Sequence, residues 1–123
     1  MSSKVMVVDD SLMVRQQVGA ALTAAGFSVL EASDGADALD KLDRAPDTAL
    51  VVLDVNMPNM NGLEMLASLK RKAASVPVVM LTTEGQPRLM QQAKALGAKG
   101  WIVKPFKPEL LVAAVQKLTA TTA

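Results

Sequence analysis

Short apolar runs and longer amphipathic stretches alternate along the whole chain. The runs Val5-Met6-Val7-Val8, Leu50-Val51-Val52-Leu53 and Val78-Val79-Met80-Leu81 are unbroken and rich in β-branched residues. Segments of that length and apolarity fit strands buried on both faces of a parallel sheet. Ser28-Val29-Leu30-Glu31 and Trp101-Ile102-Val103 are weaker versions of the same pattern. Between the runs, apolar residues take helical spacing. Leu12 to Ala25 sets Leu12, Val18, Ala21, Leu22 and Ala25 toward one face, and Gly26 suits the position just past a helix end. Ala36 to Leu42 turns Ala38, Leu39 and Leu42 inward, and Gly62 to Lys72 carries Leu63, Leu66 and Leu69. Pro87 and Pro108 each suit the first turn of a helix. The former helix closes at Leu96-Gly97, and the latter carries Leu111, Val112, Val115 and Leu118 as its stripe. The small, polar stretch Thr119 to Ala123 is expected to fray.

Five strands alternating with five helices predict one α/β domain over residues 1–123, a parallel sheet with helices on both faces. The reactive loops of such folds lie beyond the C-terminal ends of the strands, and that decides how the polar residues are read. Asp9 and Asp10 follow the first strand directly, and Asp54 follows the third, its expected neighbour. One Asp after a strand reads as a turn or cap residue; three at matched strand ends outweigh that reading. Clustered carboxylates repel, and no Arg or His stands beside them in sequence, so a divalent cation is the simplest relief. Mg²⁺ suits such a site, because it takes a few carboxylate oxygens and keeps waters that phosphate oxygens can displace. Thr82-Thr83 follows the fourth run, and Lys104 follows the fifth and precedes Pro105. Lys104 alone could be a solvated turn residue. Together a hydroxyl and an ammonium at those strand ends would reach an oxyanion held over Asp54.

Composition narrows the chemistry further. The 123 residues include no Cys and no His, which removes disulfides, thiolate catalysis, zinc sites built on those ligands and any imidazole base. A net charge of +1 gives no bulk case for nucleic acid or an anionic membrane. No apolar run approaches the roughly 20 residues of a spanning helix, so a soluble, cytoplasmic protein is expected. Carboxylates, a hydroxyl and an ammonium with no separate base suit phosphoryl transfer driven by positioning and charge.

The strings Val7-Val8-Asp9-Asp10-Ser11, Asp54-Val55-Asn56-Met57-Pro58-Asn59-Met60-Asn61-Gly62, Leu81-Thr82-Thr83 and Lys104-Pro105-Phe106 resemble the bacterial response-regulator receiver family. The match is in the family's order and spacing over nearly the whole chain, and it is closest in kind to single-domain chemotaxis regulators. The resemblance implies a flavodoxin-like, doubly wound sheet in the order 2-1-3-4-5. It implies that Asp54 accepts a phosphoryl group from a histidine kinase. Asp10, Asp54 and the Asn56 carbonyl would bind Mg²⁺, with Asp9 acting partly through water. Thr82 would hydrogen-bond the phosphoryl group, and Lys104 would pair with its oxygens.

Trp101 falls where the family carries an aromatic switch residue, a role compatible with half-buried packing. The fourth helix, fifth strand and last helix would form the output face, with Arg88, Met90, Lys94, Lys99 and Trp101 exposed on it. Asn56 and Glu84 fall at positions that tune acyl-phosphate hydrolysis in the family, and Asn61 stands where many relatives have Asp. With no effector domain expected, the message would leave through a protein contact made by a monomer. The partner would be a flagellar motor switch component or the next member of a phosphorelay outside chemotaxis, with a phosphatase as a further partner. A rival reading is a Mg²⁺-dependent phosphohydrolase of the haloacid-dehalogenase type. That family needs a second Asp where this chain has Asn56, and a nucleophile on the first strand. A switch rather than a metabolic enzyme is therefore expected. A nucleotide-binding fold lacks its Gly-rich phosphate loop here.

Overall fold

The apolar runs form a five-stranded parallel sheet in a computed structural model of the chain, which describes residues 3–55, 62–72, 76–82, 87–104 and 106–120. In chain order the elements are β1 (Lys4–Val8), α1 (Leu12–Ala24), β2 (Ser28–Ala32), α2 (Gly35–Arg44) and β3 (Thr48–Asp54). They continue as α3 (Gly62–Lys72), β4 (Val78–Thr82), α4 (Pro87–Ala95), β5 (Gly100–Val103) and α5 (Pro108–Ala120). The strand order is β2-β1-β3-β4-β5 with every pair parallel, the flavodoxin-like arrangement the sequence predicts.

Strand residues alternate between two cores, because successive side chains point to opposite faces of a sheet. Met6, Val8, Val51, Leu53, Val78 and Met80 meet α2, α3 and α4 through Ala38, Leu42, Met65, Leu66, Leu69 and Ala93. Val5, Val7, Leu50, Val52, Val79 and Leu81 meet α1 and α5 through Val18, Leu22, Leu111 and Val115. Both faces of the central strands are covered, which is why these runs are unbroken rather than alternating.

The helix ends are built from local chemistry. Ser11 caps α1, its hydroxyl oxygen accepting from the Val14 N–H at 3.3 Å, and Asp34 caps α2 by accepting from the Asp37 N–H at 2.8 Å. Gly26 follows α1 at φ 98°, in the left-handed region where an added Cβ would strain the backbone.

Two expectations change. Leu12 does not face the core and is 57% exposed. With 3.6 residues per turn it lies about 120° around the helix from Val18, whereas Val14 lies only about 40° away and joins the stripe. The last helix continues through Ala120, and the Thr119 hydroxyl donates to the Val115 carbonyl at 2.8 Å; residues 121–123 lie outside the described residues. Among the buried residues that escaped the sequence reading, one is large. Met65 is fully enclosed beside Leu66 on α3.

The placement of α1 gives a direct test. Leu22→Ala is expected to cost about 2–5 kcal/mol in urea unfolding, and Leu12→Ala to stay within about 0.5 kcal/mol. Equal losses would contradict the exposure of Leu12.

Candidate functional site

The sheet register gathers the polar strand ends into one row. Val8 pairs with Leu53, so Asp9 and Asp54 are the next residues on adjacent strands. Asp54 pairs with Leu81, and Thr82 with Val103, which brings the end of β4 and then Lys104 to the same edge. Asp9, Asp10 and Asp54 each offer a carboxylate oxygen within 4.8 Å of the others. Asp9 and Asp54 are buried and Asp10 is exposed.

Asp9 is held on every side. Its Oδ1 accepts from the Ser11 N–H at 2.9 Å, and its Oδ2 accepts from Lys104 Nζ at 2.9 Å. Its backbone N–H donates to the Ala32 carbonyl at 3.1 Å, joining the β1 end to β2. Lys104 also lies 3.7 Å from Asp54 Oδ1, so one ammonium serves two buried carboxylates. The sequence alone pointed to a cation as the relief for this cluster; the fold supplies part of that relief from Lys104, 95 residues from Asp9. It also brings in Arg15, which the sequence reading passed over. Its guanidinium donates to the Asp9 carbonyl at 2.6 Å. The only signal for it was its place one turn into α1, on the side facing the acidic loop.

A second feature lies on the far side of β5. Met90, Ala93, Lys94, Ala98, Lys99 and Trp101 line a groove of about 250 Å³ between α4 and β5. Arg88, Met90, Lys94 and Lys99 are exposed, as expected. Trp101 is not fully exposed: it is half-buried against the Met80 and Ala93 side of the core. Its indole N–H is enclosed and has no hydrogen-bond partner among the described residues. The reason is strand alternation, which turns Trp101 toward the α4 face and Ile102 toward the opposite core.

Three of the singled-out positions are only partly accessible to description. Thr82 closes β4 with its backbone, and its side chain lies outside the described residues, as do Asn56 and Glu84. The Met57–Asn61 stretch and Pro105 lie outside them as well. Among the described residues no helix is long and apolar enough to cross a membrane.

A doubly wound sheet with an acidic row at its C-terminal edge, answered by a single lysine, defines a receiver. Residues 5–116 match the response regulator receiver domain, and the chain belongs to that family. Within the family it is similar to several chemotaxis regulators. It is 39% identical to the chemotaxis protein CheY1 of Helicobacter pylori over 111 residues, 88% of this chain and 90% of that protein. It is 37% identical over 121 residues to a CheY homolog of Campylobacter jejuni, covering 96% of this chain and 93% of the relative. The solved chemotaxis protein CheY4 of Vibrio cholerae superposes with a TM-score of 0.91 at 42% identity, over 96% of this chain and 99% of that one. A CheX–CheY complex of Borrelia burgdorferi with BeF3 and Mg²⁺ superposes at 0.90 with 30% identity, over 94% and 88%. The chain is thus a receiver of the CheY-type chemotaxis response regulators, a signalling switch rather than a metabolic enzyme.

Crowding of like charge sets a measurable cost. At separations near 4–5 Å two carboxylates repel by about 1–2 kcal/mol in a largely wet setting. Asp10→Asn is therefore expected to raise stability in metal-free buffer by about 1 kcal/mol and to blunt stabilisation by added divalent cation. Urea unfolding with and without chelator reads both effects, and a destabilised, cation-responsive variant would contradict the charge argument.

Proposed function

We propose that the chain is a phosphorylation-driven switch in which Asp54 accepts a phosphoryl group from a histidine kinase. The observation that carries this reading is the position of the Lys104 ammonium, 2.9 Å from Asp9 and 3.7 Å from Asp54 at the acidic edge. A buried carboxylate with a cation beside it and an open third carboxylate is arranged to receive an anion. A donor phosphohistidine brings its phosphorus to an Asp54 oxygen; the P–O bond forms as the P–N bond breaks, and the electron pair returns to the imidazole nitrogen. The product is an acyl phosphate on Asp54, and the released imidazole takes its proton from solvent. Lys104 then stands close enough to pair with the new phosphoryl oxygens, and Thr82, the last residue of the adjacent strand, would hydrogen-bond them. Hydrolysis of the acyl phosphate resets the switch, with Asn56 and Glu84 tuning its rate.

The donor set fits Mg²⁺. Oxygens bound to that ion at about 2.1 Å sit about 3–4.2 Å from one another, and one or two carboxylates suffice. The cluster spans 4.8 Å with its exposed member, Asp10, free to turn inward. Both Asp9 oxygens already accept hydrogen bonds, so Asp9 would act through water, and Asp10, Asp54 and the Asn56 carbonyl are the residues that would hold the ion. Bound there, Mg²⁺ would neutralise charge on the transferring phosphoryl group.

The output is a protein contact made at the α4–β5 groove, where Trp101 shifts as Thr82 engages the phosphoryl group. Met90 and Lys94 supply an apolar and a cationic contact there, suited to a helix of a flagellar motor switch component. The chemotaxis relatives, covered over about nine-tenths of their length, favour motility over a general phosphorelay. A CheX-like phosphatase is a further partner, by similarity to the Borrelia complex. On this reading the chain works in the cytoplasm as a single, monomeric receiver domain.

Incubation with Mg²⁺ and a small phosphodonor, or with beryllium fluoride, is expected to change the emission of Trp101, the only Trp. With the phosphodonor, intact mass should rise by one phosphoryl group. Chelation of Mg²⁺ and Asp54→Asn should each abolish both responses. A native chain that behaves like Asp54→Asn would overturn the assignment.

A further inference from the structure

Arg15 makes two bonds that no local need of α1 explains. Its Nη1 donates to the Asp9 carbonyl at 2.6 Å, and its Nε lies 3.2 Å from Glu31 Oε1 on β2. The helix is secured without them: the Arg15 backbone N–H already donates to the Ser11 carbonyl at 3.0 Å, and Val18 and Leu22 are fully buried. Glu31 is 45% exposed, so its ion pair with Arg15 adds little to stability.

The Asp9 carbonyl belongs to the peptide that joins Asp9 to Asp10. That peptide plane fixes where Asp10, the exposed carboxylate of the cluster, leaves the backbone. Asp9 is pinned on its N-terminal side by its N–H to Ala32 and on its C-terminal side by Arg15, with Glu31 one residue before Ala32 bracing the guanidinium. A planar fork suits this task, because one nitrogen holds the carbonyl while another holds the carboxylate.

We propose that Arg15 is a positioning residue for the cation site, holding the Asp9–Asp10 peptide so that Asp10 and Asp54 face a common Mg²⁺. The proposal rests on the reading that Mg²⁺ binds this cluster, and its sign separates it from simple charge. A guanidinium near a divalent cation repels it, so removing that charge alone would tighten Mg²⁺ binding or leave it unchanged. Loss of positioning weakens it, by about tenfold where a side chain that orients ligands is removed.

The test titrates the full chain with Mg²⁺ and follows backbone amide shifts, with urea unfolding in EDTA as a check on the fold. Arg15→Ala and Arg15→Lys are both expected to bind Mg²⁺ about tenfold more weakly. Glu31→Ala, which frees one prong of the fork, should fall between them and the native chain. Unchanged or tighter binding by Arg15→Ala overturns the proposal. So does Arg15→Lys at native affinity, since charge would then suffice. A native chain that fails to bind Mg²⁺ overturns both this proposal and the functional reading beneath it, whereas native binding beside an unaffected Arg15→Ala overturns the proposal alone.

Discussion

The molecule is organised around an imbalance of charge: among the described residues, three carboxylates at one sheet edge face the ammonium of Lys104. Lys104 sits nearer Asp9 than Asp54, at 2.9 Å against 3.7 Å, and both acids are buried. Asp9 is held most closely, by Lys104 and Ser11, while three acids within 4.8 Å of one another share that ammonium, an excess of negative charge that a divalent cation would meet. Adding a phosphoryl dianion at Asp54 would move the centre of negative charge from Asp9 toward Asp54, and the ammonium with it. A fold that satisfied all three acids internally would have no reason to respond.

Trp101 supplies the second imbalance. Its indole N–H is enclosed without a partner among the described residues, at a cost on the order of 1–3 kcal/mol, while its ring packs against the core. Apolar burial favours the inward position and the unpaired donor opposes it. On the proposed reading it is this opposition, in the side chain that lines the α4–β5 groove, that a change at the site would act on.

How far the sequence revealed this depends on the range of each interaction. The strands were legible because burial on both faces leaves unbroken apolar runs, and the acidic row because parallel topology sends every strand end to one edge. Leu12 was misplaced because a hydrophobic residue in a first turn looks like part of the stripe until its angle from Val18 is worked out. Met65 was missed because α3 buries more than the narrow Leu63-Leu66-Leu69 line. The Lys104–Asp9 pair spans 95 residues and becomes visible only when β5 is seated on β4. Arg15 was silent for a related reason: its partners are a backbone carbonyl and a carboxylate on β2, and neither leaves a pattern in the residues around it.

On the proposed reading, the strand order explains how site and surface would communicate along β5. The central strands β1 and β3 each have two neighbours and helices on both faces, so they hold Asp9 and Asp54 rigidly. β5 is an edge strand paired only with β4, and it is the shortest of the five. Lys104 follows it directly, and Trp101 lies three residues earlier, about 10 Å along the chain at the rise of an extended strand. A change in the pull on Lys104 therefore acts on the least restrained strand in the sheet, and the side chain that strand offers to the groove is Trp101. On the proposed reading the acid cluster and the groove need no long pathway between them, because Lys104 and Trp101 stand toward the two ends of one short strand.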